Sequence, residues 1–158
     1  MTRPEPLDLS VTRTVAASPE VVFDLITDVG RMADWSPEVE ESAWVDADGR
    51  AEVGARFTGR NAIGSMSWTT KPKVTEVVEA SVFEFRVPAP SRSTWRYELT
   101  PTETGTVVTE TVTQSKRTPA PLRYLQRRAG VTDRAAHVRA AMETTLDRLA
   151  ATAEHVAG

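Results

Sequence analysis

The sequence predicts an α+β fold in which an antiparallel sheet is followed by a long C-terminal helix. Three observations predict this class. Residues 39–114 alternate between apolar and polar side chains in short segments, which is typical of strands. Residues 133–153 carry apolar side chains every three or four positions, which is typical of an amphipathic helix. A short, capped and interrupted helix precedes the strand series.

Composition indicates a globular chain. The 158 residues have the usual length of one domain, and no repeat or low-complexity linker divides them, so we expect a single domain over residues 1–158. Hydrophobic residues make up 40% and charged residues 26%, which argues against disorder. No apolar run approaches the roughly 18 residues of a membrane helix. The N-terminal MTRPEPLDLS lacks the apolar stretch of a signal peptide, so we expect a cytoplasmic protein without a membrane partner.

Several kinds of chemistry are excluded by residue content. The chain has no cysteine, which excludes disulfides, thiolate catalysis and cysteine–zinc sites. His137 and His155 are the two histidines, and they lie about five helical turns apart, too far to share a metal. We therefore expect no metal and no cofactor. The net charge is −3 with basic residues scattered among acids, which argues against nucleic-acid binding, and the basic residues of segment 116–128 are interpreted as a solvated helix face.

The first elements can be read from their caps. Residues 7–16 alternate as a first strand. Ser18 is a suitable N-cap for a helix that begins at Pro19. We expect this helix to end at Gly30, because glycine favours the position just past a helix C-terminus. A second short helix then ends before Ser36-Pro37.

The remaining elements follow in order. The predicted strands are residues 39–45, 55–63, 66–78, 81–87, 94–100 and 106–114. Asp46–Gly49 predicts a tight hairpin turn, and Pro72 predicts a bend in the longest strand. A short helix follows Thr118-Pro119 and stops at Gly130, and Thr132 is the predicted cap of the long helix. Its apolar stripe comprises Ala135, Val138, Met142, Leu146, Leu149 and Ala153.

This order of elements resembles a known superfamily. The segments that carry the resemblance are SPEVVFDLITDVGRMADWSPEV, VGARFTGRNAIGSMSWTTKPKVTEV, GTVVTETV and TDRAAHVRAAMETTLDRL. Together they resemble the START and polyketide cyclase/dehydrase (SRPBCC) superfamily, which has the helix-grip fold. The resemblance implies a curved, seven-stranded antiparallel sheet wrapped around the C-terminal helix, with a cavity for an apolar small molecule between them. It also implies that the two short helices close one end, with Gly30 at their vertex and Trp35 near the cavity mouth or against the long helix.

Strand parity selects the side chains that face the interior, because neighbouring side chains point to opposite faces. The arginines and glutamates of each strand belong in water, which places their neighbours inside. Apolar weighting of the last strand favours Val108, Glu110 and Val112 inside. The candidate ligand contacts are Met32, Trp35, Phe57, Asn61, Trp68, Phe85, Trp95, Tyr97, Val112, Val138 and Met142. Core packing is the alternative role for each of these aromatic residues.

Three polar residues leave alternatives open. Glu110 in an apolar cavity would have a raised pKa and act as acid, base or hydrogen-bond anchor; alternatively it sits at a wet cavity mouth or pairs with an arginine. Asn61 either orients a ligand carbonyl or satisfies an irregular strand. His137 falls one residue off the apolar stripe, and we expect it on the surface or flank of the helix.

Two functions are compatible with this pattern. The first is binding of a small hydrophobic molecule, aromatic, polyketide-like or lipid-like, in a cavity of several hundred cubic ångströms. The second is a polyketide aromatase/cyclase or dehydratase in which Glu110 is the acid–base group and Asn61 and Tyr97 orient oxygens. Catalytic motifs of hydrolases, zinc proteases and nucleotide-binding enzymes do not occur. Assembly with a partner protein through segment 116–128 is a third class, and the oligomeric state is not predicted.

Overall fold

The structure is a computed structural model that describes residues 6–46, 48–116 and 118–157. Ala47 of the predicted turn, Arg117 of the basic segment, residues 1–5 and Gly158 lie outside the described residues. The strands are β1 Asp8–Val15, β2 Val39–Trp44, β3 Phe57–Ile63, β4 Met66–Thr70, β5 Lys73–Val78, β6 Val82–Val87, β7 Ser93–Pro101 and β8 Thr106–Gln114. The helices are α1 Pro19–Thr27, α2 Met32–Trp35, α3 Ala120–Arg128 and α4 Arg134–Ala157, with a 3-10 turn at Val29–Arg31.

The strands form two antiparallel sheets. One sheet has the order β1-β8-β7-β6-β5 and the other the order β2-β3-β4. The α+β class and the long terminal helix are confirmed, but the described residues contain eight strands where seven were predicted. The predicted strand 66–78 is divided at Pro72, since proline has no N–H to continue a ladder, and its halves join different sheets. The sheets stay connected through a bridge between Arg56 and Lys73.

The predicted tight hairpin at Asp46–Gly49 is wrong. β2 and β3 do pair, with Trp44 opposite Phe57, but this register leaves residues 45–56 as a long connection. The Gly49 N–H donates to the Asp46 carbonyl at 2.8 Å, so a local turn forms there without joining the strands directly. The Asp46–Gly49 sequence therefore predicted correctly that the chain reverses here, but it did not predict the length of the connection between β2 and β3.

The first front helix ends earlier than predicted, and the second ends before Ser36-Pro37 as predicted. Ser18 caps α1, and its Oγ accepts the N–H of Val21 at 3.2 Å. The helix ends at Thr27 with Asp28 as its C-cap, two residues before the predicted vertex at Gly30. Gly30 lies inside the 3-10 turn and does not adopt a left-handed backbone. The Ser42 hydroxyl donates to the Val29 carbonyl, so β2 holds the turn between the two helices.

The C-terminal helices follow the prediction with two corrections. Gly130, with φ of +99°, follows α3 as predicted. The cap of α4 is Asp133 and not Thr132, because the helix begins at Arg134 and the Asp133 Oδ1 accepts the N–H of Ala136 at 3.1 Å. Ala135 of the predicted stripe is exposed, since Arg134 turns inward in its place. The buried face of α4 comprises Met142, Thr145, Leu146, Leu149, Ala150 and Ala153.

The core lies between α4, α1 and the inner faces of the sheets. Parity was correct for the strands: Phe57, Phe83, Phe85, Val87, Tyr97, Leu99, Val108, Glu110 and Val112 are all buried. On the outer face, Arg96 of β7 pairs with Glu76 of β5 at 2.5 Å and Glu84 of β6 at 2.8 Å, so one guanidinium ties three strands together. In the described part of the chain, no helix is both long and apolar enough to cross a membrane.

Candidate functional site

A cavity lies between α4 and the inner faces of both sheets. Most of the predicted site residues line it: Met32, Phe57, Asn61, Trp68, Phe85, Trp95, Tyr97, Glu110, Val138 and Met142. These residues come from α2, five strands and α4, which the fold brings together from distant parts of the chain. Strand alternation predicted this inner wall because one side of each strand is apolar.

Two predicted contacts do not line the cavity. Trp35 is 3% exposed and buried in the core, where the Arg31 guanidinium lies 5.5 Å from its ring centre. Val112 faces inward as predicted, but it is fully buried in the packed core. Parity and amphipathicity distinguish inside from outside, and they do not distinguish a packed core from the wall of a cavity.

The cavity has a volume of about 180 Å³. This is smaller than the several hundred cubic ångströms that we expected. Five large side chains reduce the space: Phe57, Phe85, Trp95, Tyr97 and Met142 all border it. A dry cavity of about 150 Å³ is known to hold a benzene molecule, so the volume suits one or two rings.

Aromatic residues form the inner wall of the cavity. Phe85 of β6 lies opposite Trp95 of β7, and the Phe57 ring meets the Phe85 ring edge-on at 5.1 Å. Tyr97 of β7 lies directly opposite Glu110 of β8. The Glu110 carboxyl is therefore placed between Tyr97 of β7 and Val11 of β1.

The Glu110 carboxyl is held in an apolar setting. Its side chain is 1% exposed, and its Oε2 has no hydrogen-bond partner among the described residues. Burial raises the pKa of Glu110 to about 7, and the interaction with the Tyr97 hydroxyl offsets only part of that rise. Burial and the Glu110 charge in turn raise the pKa of Tyr97. At neutral pH the carboxyl therefore exists in both protonation states, so it can donate or accept a proton.

This geometry argues against two of the alternatives for Glu110, the wet cavity mouth and the pairing with an arginine. In the described ranges, no arginine or lysine forms an ion pair with it. It is also too deeply buried to lie at a wet mouth. The raised pKa that the sequence predicted for an inward Glu110 follows from these two facts.

Asn61 lines the cavity, and its amide is engaged by its own strand neighbours. The Nδ2 group donates to the Gly59 carbonyl at 3.2 Å and to the Thr70 hydroxyl at 3.4 Å. Asn61 also pairs with Val39 next to a bulge in β2. These contacts correspond to the structural role that we considered, and the amide oxygen is left for a ligand.

A rim cluster of Glu38, Arg134 and His137 lines the partly exposed side of the cavity. His137 Nε2 lies 2.7 Å from Glu38 Oε1, and Arg134 Nη1 donates to Gln114 Oε1 at 2.8 Å. Burial lowers the pKa of Arg134, while the nearby Glu38 charge opposes this change. His137 stands on the flank of the helix as expected, and its partner is Glu38 rather than Glu110.

Sequence reasoning missed Glu38 and Arg134. One signal was present in the spacing of the helix. One face of α4 is formed by positions three, four and seven residues after Arg134, which are His137, Val138 and Ala141. The inward face of α4 therefore begins with polar residues. The predicted inward stripe of the helix contained only apolar residues, so Arg134 was left out of it. Glu38 gave no such signal, because it follows Ser36-Pro37 in an irregular segment.

α3 and the β3–β4 turn also border the cavity, beside the rim cluster, since the Ala62 N–H donates to the Glu38 carbonyl at 2.9 Å. Ile63, Gln126 and Val131 line the cavity there. Gly64, with φ of +55°, lies so close to α3 that an added Cβ would stand 2.9 Å from the Ala129 carbonyl oxygen. Only glycine suits this position, both for its backbone angle and for its close approach.

A second depression, on the outer surface, is larger and of a different kind. Its volume is about 1220 Å³, and basic side chains surround it: Arg56, Lys71, Lys73, Arg86, Arg92 and Lys116. It contains no buried carboxyl and no aromatic wall. Within residues 6–46, 48–116 and 118–157, no group of three or more histidine, aspartate or glutamate side chains is arranged to hold a metal. The inner cavity is therefore the candidate site.

Comparison with known proteins agrees with this architecture. The solution NMR structure of the polyketide cyclase-like protein Cgl2372 of Corynebacterium glutamicum is 28% identical over 98% of this chain and 93% of that chain, with a TM-score of 0.59. The crystal structure of the di-domain ARO/CYC StfQ from the steffimycin biosynthetic pathway is 18% identical over 97% of this chain and 52% of that chain, with a TM-score of 0.75. The present chain thus spans about half of StfQ.

The solution structure of the Aha1 dimer from Colwellia psychrerythraea is 16% identical over 94% of this chain and 96% of that chain, with a TM-score of 0.62. At such identities, StfQ and Aha1 establish the fold and not the activity. No curated protein matches the chain. The model of the family described as polyketide cyclase / dehydrase and lipid transport matches residues 6–154, so the chain belongs to that family.

Proposed function

We propose that the chain binds a small, mostly apolar molecule of one or two rings in the cavity between α4 and the sheets. The observation that carries this proposal is a cavity walled by aromatic side chains with one unpartnered carboxyl oxygen, that of Glu110. Apolar walls with a few convergent polar groups are typical of small-molecule sites. Family membership supports the same conclusion.

The volume narrows the class of ligand. A cavity of about 180 Å³ suits a compact aromatic molecule better than the lipid-like or many-ringed ligands that we also considered. The ligand should carry a hydrogen-bonding group, because Glu110 Oε2 would otherwise remain buried without a partner among the described residues. A phenol or an aromatic ketone meets both conditions.

The test measures binding of 2-naphthol by isothermal titration calorimetry to the wild type and to two matched variants. Ala141→Phe places a ring in the cavity, since Ala141 lines it. Ala140→Phe makes the same change on the exposed side of α4. We expect binding to the wild type and to Ala140→Phe, and at least a tenfold loss in Ala141→Phe. Equal binding to all three proteins, or no binding to any, would contradict the proposal.

Acid–base chemistry is a second candidate function, favoured by the protonation behaviour of Glu110. A carboxyl with a pKa of about 7, beside the Tyr97 hydroxyl, is suited to moving a proton at the carbon next to a bound ketone. The carboxylate removes the proton, the Tyr97 hydroxyl hydrogen-bonds to the enolate oxygen, and the carboxylic acid returns a proton. Cyclisation and dehydration of polyketides both begin with such enolisation.

Proton exchange provides the measurement for this second function. NMR would follow replacement of the C1 protons of 2-tetralone in deuterium oxide. We expect the protein to accelerate the exchange as pH rises through about 7, where the Glu110 carboxylate forms. Glu110→Gln should abolish the acceleration while 2-tetralone still binds, whereas Glu143→Gln, an exposed change on α4, should have no effect. Equal exchange with wild type and Glu110→Gln would exclude Glu110 as the base.

A further inference from the structure

Arg134 is the cation of the rim cluster, and the proposed function does not use it. The residue opens α4, lines the cavity and is partly buried. Its one hydrogen bond among the described residues runs from Nη1 to Gln114 Oε1 at 2.8 Å. A guanidinium has five N–H donors, so most of its capacity is not used by this contact.

The nearby acid does not form an ion pair with Arg134. Burial disfavours the charged guanidinium, and Glu38 is close enough to oppose this effect in part. However, Glu38 Oε1 is held by His137 Nε2 at 2.7 Å. In the part of the chain that the structure describes, no carboxylate lies within 4 Å of Arg134. Partly buried charges are normally paired, and this one has a neutral amide as its partner.

Gln114 fixes the position of the guanidinium without neutralising it. Its Oε1 also accepts the backbone N–H of Leu7 at 3.1 Å, and its Nε2 donates to the Ser91 carbonyl at 2.8 Å. These contacts hold the Gln114 amide between β1 and the β6–β7 loop. The amide therefore orients Arg134, whose charge remains available to a molecule in the cavity.

We propose that Arg134 binds the carboxylate of the ligand, so that the ligand is a compact aromatic carboxylic acid. This inference rests on the proposed function, because it concerns the same cavity. Arginine suits the role, since its planar fork matches both oxygens of a carboxylate. The aromatic wall accommodates the ring system, and the Glu110 carboxyl meets a second oxygen of the ligand.

The spacing of the two polar ends defines the shape of the ligand. Gln114, which holds Arg134, and Glu110 lie four residues apart on the same face of β8. At about 3.3 Å per residue, their backbones are separated by about 13 Å. The partner of Arg134 and the Glu110 carboxyl therefore stand at different positions along β8, and an elongated, flat acid of one or two rings suits such an arrangement better than a round molecule does.

The test compares two ligands that differ only in the charged group, 2-naphthoate and 2-naphthamide. Calorimetry at about pH 6 keeps most Glu110 carboxyls neutral, so they do not repel the acid. We expect the wild type to bind 2-naphthoate about tenfold more tightly than 2-naphthamide, as a charge-assisted hydrogen bond predicts. Arg134→Gln should remove this preference, and Arg134→Lys should restore part of it. Arg148→Gln, an exposed change on the same helix, should keep the preference.

The outcomes separate this inference from the proposed function. Equal affinity of the wild type for both ligands, or an unchanged preference in Arg134→Gln, would overturn the role of Arg134 and leave apolar binding standing. Failure of both ligands to bind the wild type would contradict the proposed function itself. Circular dichroism of each variant shows whether a lost preference reflects a lost fold, and Arg134→Lys tests the charge where Arg134→Gln does not fold.

Discussion

Glu110 is the residue at which stability and function oppose each other. An apolar side chain would pack at this buried position beside Tyr97 without a desolvation penalty, whereas an ionised carboxylate loses its hydration there. The rise of its pKa to about 7 expresses this cost. Destabilising groups are typical of binding and catalytic sites, so this residue is the one to test first.

The first prediction concerns the pH dependence of stability. In the unfolded chain Glu110 ionises near its ordinary pKa of 4.5, and in the folded chain near 7. Between these values the folded state binds more protons, so rising pH lowers the free energy of unfolding. Fully ionising the buried carboxyl corresponds to a loss of about 3 kcal/mol. The loss is absent below pH 4.5 and complete above pH 7.

Urea denaturation of the wild type and Glu110→Gln measures this effect. Other groups titrate equally in both proteins, so their difference isolates Glu110. We expect the variant to gain about 3 kcal/mol relative to the wild type between pH 4.5 and pH 8. A difference between the two proteins that stays constant with pH would show that Glu110 is not desolvated.

The inner wall of the site was predictable, and its rim was not. Phe57, Tyr97 and Glu110 sit on strands, where side chains alternate strictly and one arginine or glutamate fixes the parity of its neighbours. Arg134 sits in the first turn of a helix, where a polar residue is ordinary, so that only its spacing to Val138 and Ala141 indicated its direction. Trp35 was wrongly included among the ligand contacts, because a large aromatic side chain suits a packed core as well as a cavity wall.

At the scale of elements, the beginning of α4 offers a direct test of helix capping. Asp133 Oδ1 bonds the N–H of Ala136, while Thr132 is exposed just before it. We expect Asp133→Ala to lower the free energy of unfolding by about 1 kcal/mol. Thr132→Ala should change it by less than about 0.5 kcal/mol. Thermal or urea denaturation measures both, and the reverse ranking would restore Thr132 as the cap.

The close contact between α3 and the β3–β4 turn can be tested by substitution of Gly64. Gly54 and Gly64 both have positive φ, but an added Cβ meets nothing within 4 Å at Gly54 and meets the Ala129 carbonyl at Gly64. We expect Gly54→Ala to cost about 1 kcal/mol for the backbone alone. Gly64→Ala should cost at least about 1 kcal/mol more, because α3 must move. Equal losses in urea denaturation would mean that α3 does not press on the turn.

The order and type of elements followed from the sequence, and the junctions between them did not. Periodicity identifies a strand or helix over many residues, whereas a boundary depends on a few hydrogen bonds. Thus α1 ends at Thr27, with Asp28 as its cap, rather than at Gly30, and Ser42 from β2 bonds the Val29 carbonyl in the 3-10 turn that follows. Likewise we predicted a bend at Pro72 within one strand, but β4 before it and β5 after it belong to different sheets. Only the strands with which β4 and β5 pair determine this.

For the whole molecule, the division into two sheets predicts unequal local stability. β7 and β8 are interior strands with long ladders, whereas β2 and β4 are edges of the smaller sheet. The smaller sheet is joined to the larger one through the bridge between Arg56 and Lys73. We expect backbone amides of β2–β4 to exchange with deuterium earlier than those of β7 and β8. Hydrogen–deuterium exchange mass spectrometry measures this, and uniform protection would indicate that the two sheets open as one unit.

The size of the cavity is also a property of the whole molecule. Each inward residue was identified from its own strand, but the remaining volume depends on how side chains from two sheets and α4 fit together. For example, the Phe57 ring contacts the ring of Trp44 in β2 and the ring of Phe85 in β6. No pattern within one strand records such contacts, and for this reason the predicted volume was too large.

The placement of the four tryptophans gives the molecule an intrinsic optical reporter. Trp68 and Trp95 border the cavity, whereas Trp35 lies in the core and Trp44 packs against Phe57 outside the cavity lining. An aromatic guest would therefore quench or shift the emission of one pair of indoles and leave the other pair nearly constant. Replacing Trp35 and Trp44 by phenylalanine would leave a protein whose fluorescence reports occupancy without any attached dye.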